Sequence, residues 1–150
     1  MYKYIGIDIS KSTLDVYDGK KSYKFSNCVN GFKRVVKEFT SKDKELCFIF
    51  EPTGIYSYAI VKFCNEKSIK AFIVGSKEAR DYARSIKKRS KTDKIDAMVL
   101  YRYHTQIINK KDITVPSFDF DLKKITQRVN VAKAYGKSNC SFEKYFRSYI

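Results

Sequence analysis

Four carboxylates stand out by where they fall along the chain. Asp8 closes the apolar stretch Tyr4, Ile5, Ile7 and Ile9 and is expected to be buried by its neighbours Ile5, Ile7 and Ile9, and Glu51 follows Leu46-Cys47-Phe48-Ile49-Phe50 and precedes Pro52. Asp93 and Asp96 stand three residues apart at the head of a helical pattern, which puts them on one helix face. Four such acids gathered in one place repel, and one is forced to take a proton unless a cation compensates. Mg²⁺ suits that role because it prefers carboxylate oxygens and keeps several waters, with Mn²⁺ as the expected substitute. Two such ions roughly 3.5–4 Å apart activate an attacking oxygen and stabilise a leaving one, which is phosphodiester chemistry. Each acid also has a plainer reading. Asp8 is a turn residue, Glu51 a solvated strand end, Asp93 a helix cap, and Asp96 a surface acid paired with Lys91 or Lys94.

The elements that must position these acids follow from periodicity. Residues 2–9 read as a strand buried by Ile5, Ile7 and Ile9, and 13–18 and 22–27 as strands joined at Asp18-Gly19-Lys20, giving an antiparallel meander. A helix with Asn30 as cap and Phe32, Val35, Val36 and Phe39 on its face leads to the apolar run 46–50, a strand covered on both faces. Pro52 ends that ladder. A helix carrying Ile55, Ala59, Ile60 and Phe63 then leads to a strand at 71–74, which implies a parallel right-handed crossover. Helices are expected at 76–86, at 93–108 with Ala97, Leu100, Tyr101, His104, Ile107 and Ile108 on one face, and at 121–135; 137–150 has no assignment. The expected fold is α/β, a mixed sheet flanked by helices with the first and fourth strands adjacent at its centre.

Composition narrows the partners. Thirty-one Lys and Arg against sixteen Asp and Glu give a net charge of +15, which attracts polyanions, nucleic acid first. Lys77, Arg80, Arg84, Lys87, Lys88, Arg89, Lys91 and Lys94 lead directly into the acidic pair, and together with Lys11 they are the expected phosphate contacts; the alternative is a solvated charge run. Cys28, Cys47, Cys64 and Cys140 form no C-x-x-C pair, and with His104 as the single histidine a zinc site is not expected. Cys47 and Cys64 read as small buried hydrophobes and His104 as a buried, hydrogen-bonded side chain. Tyr82, Tyr101 and Tyr103 read as packing residues, with stacking on unpaired bases as the alternative. The chain shows no apolar run of bilayer length and no signal peptide, so the expectation is a cytoplasmic protein with no membrane partner.

Three segments together carry a resemblance: Gly6-Ile7-Asp8-Ile9-Ser10-Lys11, Glu51-Pro52-Thr53-Gly54-Ile55-Tyr56 and Lys91-Thr92-Asp93-Lys94-Ile95-Asp96-Ala97. In order and separation they resemble the DEDD transposases, the Piv/MooV family of insertion-sequence transposases and DNA invertases. The resemblance spans about residues 3–108 and implies a RuvC-like, ribonuclease-H-like domain. It implies that Asp8, Glu51, Asp93 and Asp96 bind catalytic Mg²⁺, with Asp8 bridging two ions, and that Thr53, Gly54 and Tyr56 are structural. It further implies DNA as substrate, in many members a structured guide RNA, and a homo-oligomer for the full-length protein.

The expected organisation is a catalytic domain at 1–110 and a linker with a helical extension at 111–150. The family's C-terminal serine domain falls outside these residues, and Ser138, Ser141 and Ser148 match no part of its motif. The function expected is therefore Mg²⁺-dependent DNA strand cleavage and transfer, incomplete without that domain. The alternative is a catalytically inactive nucleic-acid-binding fragment. A sugar-kinase or actin-like ATPase shares the first-strand Asp and hairpin but needs clustered Gly-rich phosphate loops, and the six Gly here are scattered.

Overall fold

The computed structural model describes residues 1–86, 96–108 and 114–116. Its elements are β1 (Tyr2–Ile9), β2 (Thr13–Tyr17), β3 (Ser22–Ser26), α1 (Val29–Phe39), β4 (Glu45–Phe50), a 3-10 turn (Gly54–Ser57) running into α2 (Tyr58–Glu66), β5 (Lys70–Ile73), α3 (Ser76–Ile86) and α4 (Ala97–Arg102). A π-helical turn, Tyr103–Ile108, continues α4. The five strands form one sheet in the order β3-β2-β1-β4-β5. The β1–β2 and β2–β3 pairs are antiparallel; β1–β4 and β4–β5 are parallel. A mixed five-stranded sheet flanked by helices is the arrangement of ribonuclease-H-like folds.

Strand periodicity sorts the residues between two faces. Ile5, Ile7 and Ile9 of β1 join Leu14, Val16, Phe25, Phe48 and Phe50 on one face. There they pack under Phe32, Val35 and Phe39 of α1 and Ala59, Ile60 and Phe63 of α2. The other face carries Ile49, Phe72 and Val74 against Ala79 of α3 and Leu100 of α4, with Tyr4 at its margin. Cys47, Phe48, Ile49 and Phe50 are all fully enclosed, so β4 is covered on both faces as its unbroken apolar run requires. The same periodicity corrects one expectation. Asp8 is half-buried and lies on the face opposite Ile5, Ile7 and Ile9, so those residues do not enclose it.

The β2–β3 turn is built by Asp18, whose Oδ1 accepts from the backbone N–H of Lys20 (2.8 Å) and of Lys21 (2.7 Å), while Gly19 takes φ +94°. Burial pushes the Asp18 carboxyl up, but these N–H groups, the Tyr23 hydroxyl and Lys3 outweigh it and hold it below its ordinary value.

Several boundaries differ from expectation. Cys28, in extended conformation, is the N-cap of α1 and offers no side-chain bond, so Asn30 lies inside the first turn. The β5 strand begins at Lys70 and ends at Ile73, the ladder having started one residue earlier opposite Cys47. The regular helix α4 starts at Ala97, because Asp96 is extended (φ −120°, ψ 170°) and caps it. The expected helix at 121–135 and the segment 137–150 lie outside the described residues.

Candidate functional site

The β1–β4 ladder ends with Ile7 opposite Phe50. The next residue on each strand is an acid, Asp8 and Glu51. Earlier partners in this register, Gly6 with Ile49 and Tyr4 with Cys47, share the α4 face, and period-two alternation puts Asp8 and Glu51 on that face as well. Both are half-buried. Two carboxylates far apart in sequence thus sit at neighbouring strand ends, at the carboxyl edge of the parallel half where α/β sheets bind ligands.

The third acid arrives with α4, whose first turn lies directly on β1. A Cβ at Gly6 would collide with the Ala97 carbonyl oxygen and stand 2.9 Å from Tyr101 Cβ. Only glycine admits the helix at this distance. Gly6 precedes Asp8 by two residues on the same face, about 7 Å along the strand, so the start of α4 is set beside the acidic strand ends. Asp96 occupies that start and its Oδ1 accepts from the Val99 N–H at 3.0 Å. Asp96 is thus the N-cap of α4; its expected pairing with Lys91 or Lys94 and the helix face expected to be shared with Asp93 involve residues outside the described ones. Asp93 itself lies outside the described residues.

Asp15 went unnoticed in the sequence. It stands directly opposite Asp8 across the β1–β2 ladder and therefore on the same face. Like charges directly opposite are unfavourable, and the next strand supplies a counter-charge: Lys24, opposite Asp15, reaches it at 3.4 Å. Nothing in one-dimensional spacing marks Asp15, since the register that pairs it with Asp8 depends on the length of the β1–β2 connection.

The donor chemistry fits a hard divalent cation. Asp8 and Glu51 offer carboxylate oxygens, while Cys47, Cys64 and His104 are withdrawn into the interior. Burial pushes the Cys47 thiol up to about 12 and raises Cys64 as well, so neither ionises readily. His104 is fully buried, its ring 5.0 Å from that of Tyr4 and 4.5 Å from that of Phe72. Among the described residues no group of three or more His, Cys, Asp or Glu is arranged to hold a metal ion, so Asp8, Glu51 and Asp96 by themselves do not form such a group; Asp93, the fourth of the expected set, lies outside the described residues.

The basic residues divide similarly. Lys11 is exposed in the turn that leaves β1. Lys77, Arg80 and Arg84 line one groove along α3 together with Asp81. Arg80 Nε donates to the Ser76 carbonyl at 3.0 Å, and Arg84 approaches Asp81 at 4.0 Å. This helix begins just after Val74, whose N–H donates to the Phe50 carbonyl, so its basic face starts from the strand edge that bears Glu51. Lys87, Lys88, Arg89, Lys91 and Lys94 lie outside the described residues. The tyrosines are packing residues: Tyr101 meets Tyr17 edge-on at 5.4 Å, and Tyr82 stacks obliquely on Tyr103 at 5.3 Å while donating to Gln106. No helix among the described residues is long and apolar enough to cross a membrane.

A family model described as "Transposase", that of the DEDD type, matches residues 5–127. Among curated proteins the chain is similar to the pilin gene-inverting proteins of Moraxella bovis and Moraxella lacunata, each 33% identical over 107 residues. That alignment covers 67% of this chain and 33% of each relative, so the chain spans about one third of the length of the curated relatives it matches.

Proposed function

The chain belongs to the DEDD transposase family, and from that premise we propose that it carries the metal-dependent part of a DNA strand-cleavage and transfer site. The observation that carries this reading is the parallel register ending at Ile7 and Phe50, with an acid next on each strand. Asp8 and Glu51 hold the cation, Asp93 and Asp96 complete the set from the approach to α4, and Mg²⁺ is the ion whose ligand preference matches. When bound, such ions supply Lewis acidity to a phosphodiester. The chain's own residues do the rest. Lys11 and the α3 face of Lys77, Arg80 and Arg84, continued in sequence by Lys87, Lys88, Arg89, Lys91 and Lys94, hold the DNA backbone across the acids. Asp15, tied to Lys24, lines the same face from β2.

The curated relatives are named for inverting a pilin gene, and rearrangement of DNA is the substrate class proposed for this chain. The family resemblance extends the proposal to a structured guide RNA as a second polyanionic partner and to self-association of the complete enzyme. The test is Asp8→Asn in the protein that carries this domain. Metal-dependent nicking of DNA is expected to vanish while the circular dichroism spectrum stays as before. Undiminished nicking would falsify the assignment of Asp8.

A further inference from the structure

The β1–β4 ladder stops one residue short of the two acids, so beyond it the two strand ends are joined by other contacts. Asn27, at the junction of β3 and α1, is 6% exposed. Its side-chain amide donates to the Ser10 carbonyl at 2.7 Å and to the Tyr56 carbonyl at 2.9 Å. Ser10 lies two residues beyond Asp8 and Tyr56 five beyond Glu51. Both hydrogens of one NH₂ group are thus spent on tying the chain leaving β1 to the chain leaving β4. The Asn27 backbone N–H adds a bond to the Ser12 carbonyl at 2.9 Å. Thr53 Oγ1 makes a second crosslink, donating to the Ile9 carbonyl at 3.2 Å.

The orientation of the Asn27 amide is fixed by this environment. Two carbonyl oxygens converge on one end of the group, and only the nitrogen end can satisfy them. Its Oδ1 is buried with no hydrogen-bond partner among the described residues. A buried acceptor without a partner carries a desolvation cost, which the two bonds made by the NH₂ group must offset. An apolar residue would remove that cost and at the same time strand the Ser10 and Tyr56 carbonyls.

We infer that Asn27 is a positioning residue for the acidic pair: it acts through the two loops, fixing the separation at which Asp8 and Glu51 meet a divalent ion. The inference rests on the proposed metal role of those acids. Partners that orient a site's ligands characteristically change metal affinity by about 10–100-fold when removed.

The test uses the full chain and Mn²⁺ as probe, with bound ion read by electron paramagnetic resonance and loop opening by amide hydrogen exchange. Asn27→Ala, and Asn27→Asp, which keeps the shape but turns the donor into an acceptor, are each expected to weaken Mn²⁺ binding by at least about tenfold. They are also expected to broaden the spectrum of the bound ion and speed exchange of the Tyr56 amide. Val35→Ala, a core change in α1 remote from both loops, serves as the control for stability loss. Thr53→Val, at an exposed position, is expected to shift affinity in the same direction by less than the Asn27 variants do. Equal Mn²⁺ affinity in the Asn27 variants and Val35→Ala overturns the positioning role, as does an unchanged affinity in Thr53→Val. If Asp8→Asn leaves Mn²⁺ binding intact, the metal site is what fails, and accelerated Tyr56 exchange in Asn27→Ala would still report the strap itself.

Discussion

The two ends of the central strands treat charge in opposite ways. At the amino end of β1, β4 and β5, Lys70 Nζ reaches Glu45 at 3.0 Å and the Tyr2 hydroxyl at 2.9 Å. The Tyr2 and Glu45 hydrogen bonds raise the Lys70 pKa, and the Lys70 hydrogen bond and charge hold the Glu45 carboxyl below its usual value. Opposite charges meet there, on a surface open to water. At the carboxyl end of β1 and β4, two carboxylates of like charge occupy adjacent strand ends on one face, and a third opposes Asp8 from β2. An arrangement of the first kind needs nothing further. The second is the kind of arrangement that a divalent cation would stabilise, and the contrast between the two strand ends is the one the proposed function rests on.

Breaking the acidic end should give the largest effect. A catalytic metal contributes several kcal/mol to the transition state, so Glu51→Gln is expected to lower metal-dependent DNA nicking by at least about 100-fold. Its melting temperature should hold or rise, because a repulsion is removed. A fall in melting temperature comparable to a core truncation would mean that Glu51 is structural. Next comes the packing that brings α4 to the acids. Gly6→Ala forces a methyl group against the Ala97 carbonyl and should cost about 1–3 kcal/mol by overpacking, seen in thermal unfolding, with nicking reduced as the helix is displaced. Asp96→Ala removes the α4 cap and should cost about 1 kcal/mol, whereas Asp96→Asn, which can still cap, should separate capping from metal binding by restoring stability alone.

The amino end supplies the contrast. Glu45→Gln should leave nicking unchanged, because that pair is remote from the acids. Its pH response has a defined sign. The folded Glu45 carboxyl has a lowered pKa, so any stability it adds is present above the unfolded value of about 4.3 and is lost as pH falls through the folded one. The pair is exposed, so the effect is the smallest of the series. A melting-temperature difference between Glu45→Gln and the unaltered chain that persists at the acid limit would rule out the ion pair as its source.

Much of this was legible from residue order. The meander, the parallel crossover and the doubly covered β4 follow from period-two patterns and the punctuation at Asp18-Gly19 and Pro52. Adjacency of Asp8 and Glu51 followed from the expected strand order. The capping role of Asp96 was obscured because a helical period predicts a face without marking where the helix begins. Asp15 and Asn27 were invisible for another reason. Each matters through a partner across the sheet or across two loops, at sequence separations of 7 for Asp8–Asp15 and 17 and 29 for the Asn27 bonds, and no local pattern encodes such pairings. Gly6 looked like part of a motif, whereas its role is steric, the room it leaves for α4.

The short contact between Thr114 and Ala71 bears on how copies of this molecule can meet. Ala71 donates to Thr114 at 2.8 Å and accepts from it at 3.2 Å, and Asn65 Nδ2 holds the Pro116 carbonyl at 2.9 Å. The outward backbone groups of β5 are therefore already engaged at the middle of the strand by the chain itself. A foreign strand seeking to extend the sheet at Ala71 must first displace this latch, so the β5 margin is a poorer template for strand addition than its length alone suggests.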